Sequence, residues 1–323
     1  MKIACIYHSI NLNGWMSAAI VKHWWKTLYF DYNKVYQKEE EGSLLLRGNF
    51  SNEEQERIDF IGYNYGQPIP DLSKYDKVIM CGISFPRTEM YKIAIEKELI
   101  WIDHHASAII EMIALDKQCY EEKYKGIRDI KFAACELTFK YFFPNEQMPE
   151  IVRLLGMYDS YRHKGKDEEQ RVLEFQYGAR ECISNYEDAY DKLIECTRVK
   201  ESEYWFLRAK AIVSQILEQG RSIYQYLCTE AKQCYKNGFD ICFDTHKFIC
   251  INKERFNPIN FGIDYHKDGY DGCACFHYAN GEWNFSLYND NGLVDCSIIA
   301  KQYGGGGHKG AAGFRVKDIK SII

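Results

Sequence analysis

The run Ile100-Trp101-Ile102-Asp103-His104-His105 constrains this chain more than any other stretch: an apolar segment stops abruptly in one carboxylate and two imidazoles. Short continuous apolar runs suit strands buried on both faces, and parallel α/β sheets gather functional side chains where such strands end. Asp and His at that point read as a metal or acid–base site, because both are ligands for Mn, Mg, Fe or Zn. Against that stands a plain strand end with solvated polar residues, since motifs this short recur by chance.

The neighbouring segments favour the α/β reading. Lys2–Tyr7 is a first strand, followed by the polar loop His8-Ser9-Ile10-Asn11-Leu12-Asn13-Gly14 and a helix over Trp15–Leu28. Lys77–Cys81 is a second strand, stopping at Gly82-Ile83-Ser84 and leading to a helix over Thr88–Lys97. Leu99–Ile102 is the third and delivers Asp103. Strand–helix repeats of this kind predict a doubly wound, mainly parallel sheet. Helical spacing recurs over Lys131–Phe143, broken by Pro144, and over Pro149–Met157, just before Asp159. Residues 31–57, acidic at Glu39-Glu40-Glu41 and Glu53-Glu54, read as a polar surface cover.

A long helix over Glu201–Tyr226 reads as a connector, and beyond it the pattern switches to alternation. Strands fall over Phe239–Phe243, Lys247–Ile251, Gly272–Tyr278 and Glu282–Leu287, with the hairpin signal Asn280-Gly281 between the last two. Asp295 caps a helix over Cys296–Gln302. The expected organisation is a first domain over 1–195, a connector over 196–230, and a smaller α/β domain with a mixed sheet over 231–323.

A net charge of −5 argues against a protein that coats long nucleic acid by charge alone. The 13 cysteines are odd in number and form no Cys-x-x-Cys pair, so they read as reduced, mostly buried thiols of a cytoplasmic protein. No stretch approaches the ~18 apolar residues of a membrane span, and Met1-Lys2-Ile3-Ala4-Cys5 reads as strand rather than signal peptide.

The second site feature is Gly304-Gly305-Gly306-Gly307-His308-Lys309, followed by Gly310-Ala311-Ala312-Gly313-Phe314. Glycine amides approach an anion closely, and a turn of them opening into a helix would form a phosphate nest, with His308 and Lys309 adding donors. The bland alternative is a flexible glycine hinge.

Taken together, Asp103-His104-His105 and the glycine run resemble the DHH phosphoesterases that carry a DHH-associated C-terminal domain. That superfamily includes RecJ-type exonucleases, nano-RNases, cyclic dinucleotide phosphodiesterases and family II pyrophosphatases. The resemblance covers most of the chain: His8 with Asn11 and Asn13 stands at the first motif, Gly82 with Ser84-Phe85 at the second, Asp103-His104-His105 at the third, and Gly156 with Asp159 at the fourth. It implies two divalent cations, usually manganese, that activate water and bind the scissile phosphate of a short oligoribonucleotide or a cyclic nucleotide. It also implies a C-terminal domain that closes over the cleft, with the glycine run and His308 holding the rest of the substrate. A homodimer is left open.

The departures from that pattern carry as much weight as the match. Where the family has carboxylates, this chain has Asn11, Asn13 and Gly82. By the resemblance one cation would keep His8 and Asn11, the other His104, Asp159 and Asn13. Asp103 would orient an imidazole, and His105 would touch the phosphate. Holding two dications ~4 Å apart without carboxylates is strongly unfavourable, so at most one weakly held cation is expected. Two readings follow: a metal-dependent phosphodiesterase impaired at these positions, or a nucleotide-binding pseudo-enzyme. Arg162, His163 and Arg180 are weaker candidates for substrate contact.

Overall fold

The computed structural model describes residues 1–40, 57–119, 124–197, 202–254 and 256–322. Contacts divide the chain into two units, Met1–Arg221 and Ser222–Ile323.

In the first unit, β1 (Lys2–His8) leads into α1 (Leu12–Glu40), and β2 (Arg57–Tyr63) follows. Then come β3 (Lys77–Cys81), α2 (Arg87–Glu96), β4 (Glu98–Ile102) and α3 (Ala106–Cys119). The four strands form a parallel sheet in the order β2-β1-β3-β4. The expected doubly wound layout holds, because both faces of each central strand are covered. Ile3, Cys5, Ile79, Cys81, Ile100 and Ile102 pack against α1 and Leu137 on one face. Ala4, Ile6, Val78, Met80, Leu99 and Trp101 pack against Met90, Ile93 and Met112 of α2 and α3 on the other. That two-sided burial is why these strands read as unbroken apolar runs.

The helices α4 (Ala134–Phe142), α5 (Glu150–Asp159), α6 (Glu169–Cys182), α7 (Tyr186–Thr197) and α8 (Glu203–Lys236) complete the helical part. Leu12, Met16 and Ile20 of α1 form a core with Phe139, Leu155, Phe175, Leu193 and Ile216.

One sequence expectation changes here, and four elements are new. Residues 31–57 are not one surface cover: 31–40 continue α1, Arg57 opens β2, and the rest lies outside the described residues. Strand β2 escapes the pattern because it is an edge strand: only Tyr63 is buried, and its polar residues continue the composition of the acidic stretch before it. Helices α3, α6 and α7 were unread. In α3, Ile110 and Ile113 are exposed, which blurs the apolar stripe.

The second unit holds β5 (Phe239–Phe243), β6 (His246–Asn252), β7 (Gly272–Ala279) and β8 (Glu282–Tyr288), then α9 (Cys296–Gln302), β9 (Gly306–His308) and β10 (Ala311–Val316). They form a mixed sheet in the order β5-β6-β7-β8-β10-β9, with β6 and β7 parallel and the other pairs antiparallel. At the β7–β8 turn Asn280 and Gly281 take φ of 56° and 81°, the left-handed pair that the Asn-Gly signal predicts. Asp295 accepts from the Ser297 amide at 2.9 Å and caps α9 as expected.

Trp101 ties the first core to the end of β4. It is fully buried, and its Nε1 donates to Asp103 Oδ2 at 3.2 Å. Trp101→Phe keeps most of the apolar volume but leaves a buried carboxylate oxygen short of a donor. The expected loss is about 1–3 kcal/mol of stability, read as a lower urea midpoint at neutral pH; an unchanged midpoint would show that this bond contributes nothing.

Candidate functional site

The carboxyl edge of the parallel sheet brings the first, third and fourth sequence motifs together. His8 ends β1, Asp103 follows β4, Asn11 and Asn13 flank the start of α1, and Asp159 is the last residue of α5.

Asn13 is the pivot. It is 5% exposed, and the Cys135 backbone amide at the start of α4 donates to its Oδ1 at 2.8 Å. An amide N–H at a helix start needs an acceptor, so this bond fixes which end of the carboxamide is oxygen. The NH2 end is therefore turned into the site. Its Nδ2 donates to Asp159 Oδ2 at 2.8 Å and lies 3.5 Å from His104 Nε2. His104 Nε2 and Asp159 Oδ2 are themselves 3.4 Å apart. Asn11 repeats the arrangement. The Gly14 amide donates to its Oδ1 at 2.8 Å, and its Nδ2 lies 3.3 Å from His8 Nδ1.

A metal ligand must present a lone pair, yet both carboxamides present hydrogens. The third expected carboxylate position, Gly82, has φ of 64°, and a Cβ there would sit 2.9 Å from the Ala134 Cβ. That backbone disfavours any side chain, so Gly82 serves a turn at the end of β3. The donor set does not fit two cations. A single cation has candidates: ligand atoms of Asp103, His104 and His105 lie within 4.8 Å of one another.

Asp103 is fully committed to orientation. Its Oδ1 accepts from the backbone amides of His104 (2.7 Å) and His105 (3.1 Å) and pairs with His105 Nδ1 at 2.7 Å. With Trp101 on the other oxygen, the carboxylate fixes the His105 ring and turns its Nε2 away from Asp103.

Burial opposes the charge on every one of these groups. It pulls His8 down to about 4, with the His105 charge adding to the effect and Asp103 opposing it. It pushes Asp159 up to about 6, against the His105 charge and with that of Glu136. Burial also lowers His105, but the bond to Asp103 and the charges of Asp103 and Asp159 outweigh it, and His105 ends above its ordinary value. Burial raises Asp103 too, and the bond and charge of His105 outweigh that, leaving it low.

Two residues at this site were not singled out from sequence. Tyr65 stands against both His8 and His105, with ring centroids 6.1 Å from each. Glu136 is buried and accepts from Arg162 Nη2 at 2.5 Å. Arg162 is thereby committed to a structural ion pair, and His163 is 1% exposed, bonding the Met157 carbonyl through Nδ1 at 3.0 Å. Arg180 lies near the Tyr158 hydroxyl at 3.3 Å.

The glycine run lies in the second unit and differs from expectation. It does not open into a helix; it follows one. Gly304, with φ of 75°, ends α9, and the Gly305 amide donates back to the Ala300 carbonyl at 2.8 Å. Gly306–His308 then form the edge strand β9. A Cβ on Gly305 would lie 2.1 Å from the Gly313 carbonyl oxygen, and one on Gly307 2.6 Å from the Ala312 Cα. Helix stop and close strand packing account for these glycines. His308 and Lys309 remain exposed.

No family model matches the chain. It is 24% identical, over 98% of its own length and 68% of the other's, to an uncharacterized protein of Acanthamoeba polyphaga mimivirus. Solved structures similar to it include a pGpG-specific phosphodiesterase from Vibrio cholerae, at 12% identity and a TM-score of 0.45, covering 98% of this chain and 92% of that one. An exopolyphosphatase-related protein from Bacteroides fragilis aligns with the same identity and TM-score over 98% and 87% of the two chains. RecJ from Thermus thermophilus, crystallised with Mn2+, aligns at 13% identity and a TM-score of 0.43 over 99% and 50%. At TM-scores below 0.5 the functional reading rests on this chain's own side chains.

The two shifted groups oppose each other in pH. Asp159 holds its proton more tightly folded than unfolded, so its contribution favours the fold in acid and is lost as pH rises from about 4 to about 6. His8 holds its proton less tightly folded, so its contribution appears as pH rises from about 4 to 6.5. Asp159→Asn removes only the first. Stability of that variant should climb more steeply than that of the native chain between pH 4.5 and 6, by up to about 1.4 kcal/mol per unit. Urea midpoints at the two pH values check this; parallel slopes would contradict it.

Proposed function

We propose that this chain is a DHH-phosphoesterase-type protein that binds a short oligoribonucleotide or a cyclic nucleotide by its phosphates, with its hydrolytic centre disabled. The observation that carries the reading is the Asn13 carboxamide. Its NH2 group stands between Asp159 and His104, within 2.8 Å and 3.5 Å, where a cation would have to bind both. The hydrogen bonds hold the two side chains together in place of an ion. Around them, His105, held by Asp103, offers its remaining ring nitrogen to a phosphate oxygen. Taken by itself, the second unit offers exposed His308 and Lys309, beside Gly304, Gly305, Gly306 and Gly307, as candidates for phosphate contact. A cytoplasmic location belongs to the same reading, supported by the buried free thiols of Cys5, Cys81, Cys135 and Cys250.

A second reading is a phosphodiesterase using one cation. It is favoured by the 3.4 Å convergence of His104 and Asp159, and it needs the Asn13 amide to release Asp159. When bound, that cation would polarise the phosphate and acidify water.

Calorimetry with Mn2+ and a 5′-phosphorylated diribonucleotide separates the two. The disabled reading expects no stoichiometric Mn2+ uptake, no cleavage, and diribonucleotide binding that survives EDTA. Cleavage by the native chain with Mn2+ would establish the second reading instead.

Asn13→Asp tests the same point from the other side. It keeps an oxygen for the Cys135 amide but sets a second carboxylate oxygen against Asp159. In EDTA the variant should lose about 1–3 kcal/mol of stability, and Mn2+ should restore it, whereas the native midpoint should ignore both additions.

A further inference from the structure

Tyr65 stands at the sheet edge, packed against His8 and His105. The loop after β2 is a tight turn: the Gln67 amide donates to the Asn64 carbonyl at 3.1 Å, and the Asn64 amide donates to Gln67 Oε1 at 2.9 Å. Asn64 Oδ1 accepts from the Ser9 amide (3.3 Å) and from the Ser9 hydroxyl (3.2 Å), which ties this turn to the loop that follows His8. The Tyr65 phenol lies near Ser84, itself 5% exposed. The ring stands edge-on to His105 at 87° and tilted at 60° to His8. The residue is nonetheless 53% exposed. On the adjoining loop Ile10 is 57% exposed.

A half-exposed aromatic ring set beside two imidazoles is an arrangement suited to stacking. Phosphate alone gains nothing from such a surface, whereas every nucleobase has a flat face that stacks on an aromatic ring. We propose that Tyr65 is a specificity-determining residue, the platform on which a base of the bound ligand stacks beside the His8 and His105 imidazoles. This rests on the nucleotide-binding reading above and deepens it: it names the residue that recognises the base, which an inorganic polyphosphate lacks.

The test is calorimetric titration of the full chain, in EDTA, with a 5′-phosphorylated diadenylate and separately with inorganic tripolyphosphate. Tyr65→Ala should weaken the diadenylate by about 5- to 150-fold, the range that one base–aromatic stack supplies. It should leave tripolyphosphate within about twofold. Tyr65→Phe keeps the ring and should hold diadenylate affinity within about threefold. Circular dichroism and urea midpoints on each variant confirm the fold. Equal diadenylate affinity in the native chain and Tyr65→Ala would overturn the platform while leaving the phosphate site standing. Parallel loss of both ligands in Tyr65→Ala would overturn it in favour of a purely structural role. If neither ligand binds the native chain, the phosphate-site reading fails and the platform fails with it.

Discussion

One side chain decides the character of the sheet edge. The Asn13 carboxamide receives the Cys135 amide on its oxygen and gives a hydrogen to Asp159. The first bond satisfies an otherwise unpaired amide at the start of α4; the second gives a half-buried acid a donor without any ion. Remove the carboxamide and a buried amide and a half-buried acid lose partners at once, which is the costly kind of loss. His104, Asp159 and α4 all take their places from this residue. Asn11 does the same work on a smaller scale for α1 and His8.

The acid–imidazole pair beside it is built on different physics. Asp103 is sealed from water and held by four donors, counting Trp101, so its charge is spent on posing His105. Such a pose is useful to an anion whether or not an ion stands nearby. The same edge therefore combines an imidazole posed by a buried carboxylate with neighbouring carboxamides that present hydrogens rather than lone pairs.

Much of this was legible in the residues. Strands β1, β3 and β4 are buried on both faces, so their apolar runs mark them, and Asp103 falls just past the last of them. The β7–β8 hairpin and the α9 cap follow from single dipeptides and a single Asp. What stayed hidden has physical reasons. Edge strand β2 is mostly unburied and follows acidic residues. Helix α3 carries exposed isoleucines. The glycine run satisfies an anion nest and a helix stop followed by a tight hairpin equally well, and only the β9–β10 pairing distinguishes them. The most consequential fact, which way the Asn11 and Asn13 amides point, depends on partners that sequence does not reveal. Cys135 lies 122 residues from Asn13. Tyr65 was missed for a related reason: its importance comes from Ser84 and two imidazoles brought close by the sheet.

Asn13 and Gly82 also set what a carboxylate at either position would meet. A carboxylate at position 13 would set an oxygen against Asp159, where the carboxamide now donates to it at 2.8 Å. At Gly82 the left-handed backbone resists any acidic side chain until the turn itself is rebuilt. The two positions therefore differ in kind: one resists a carboxylate through its hydrogen-bond partners, the other through its backbone.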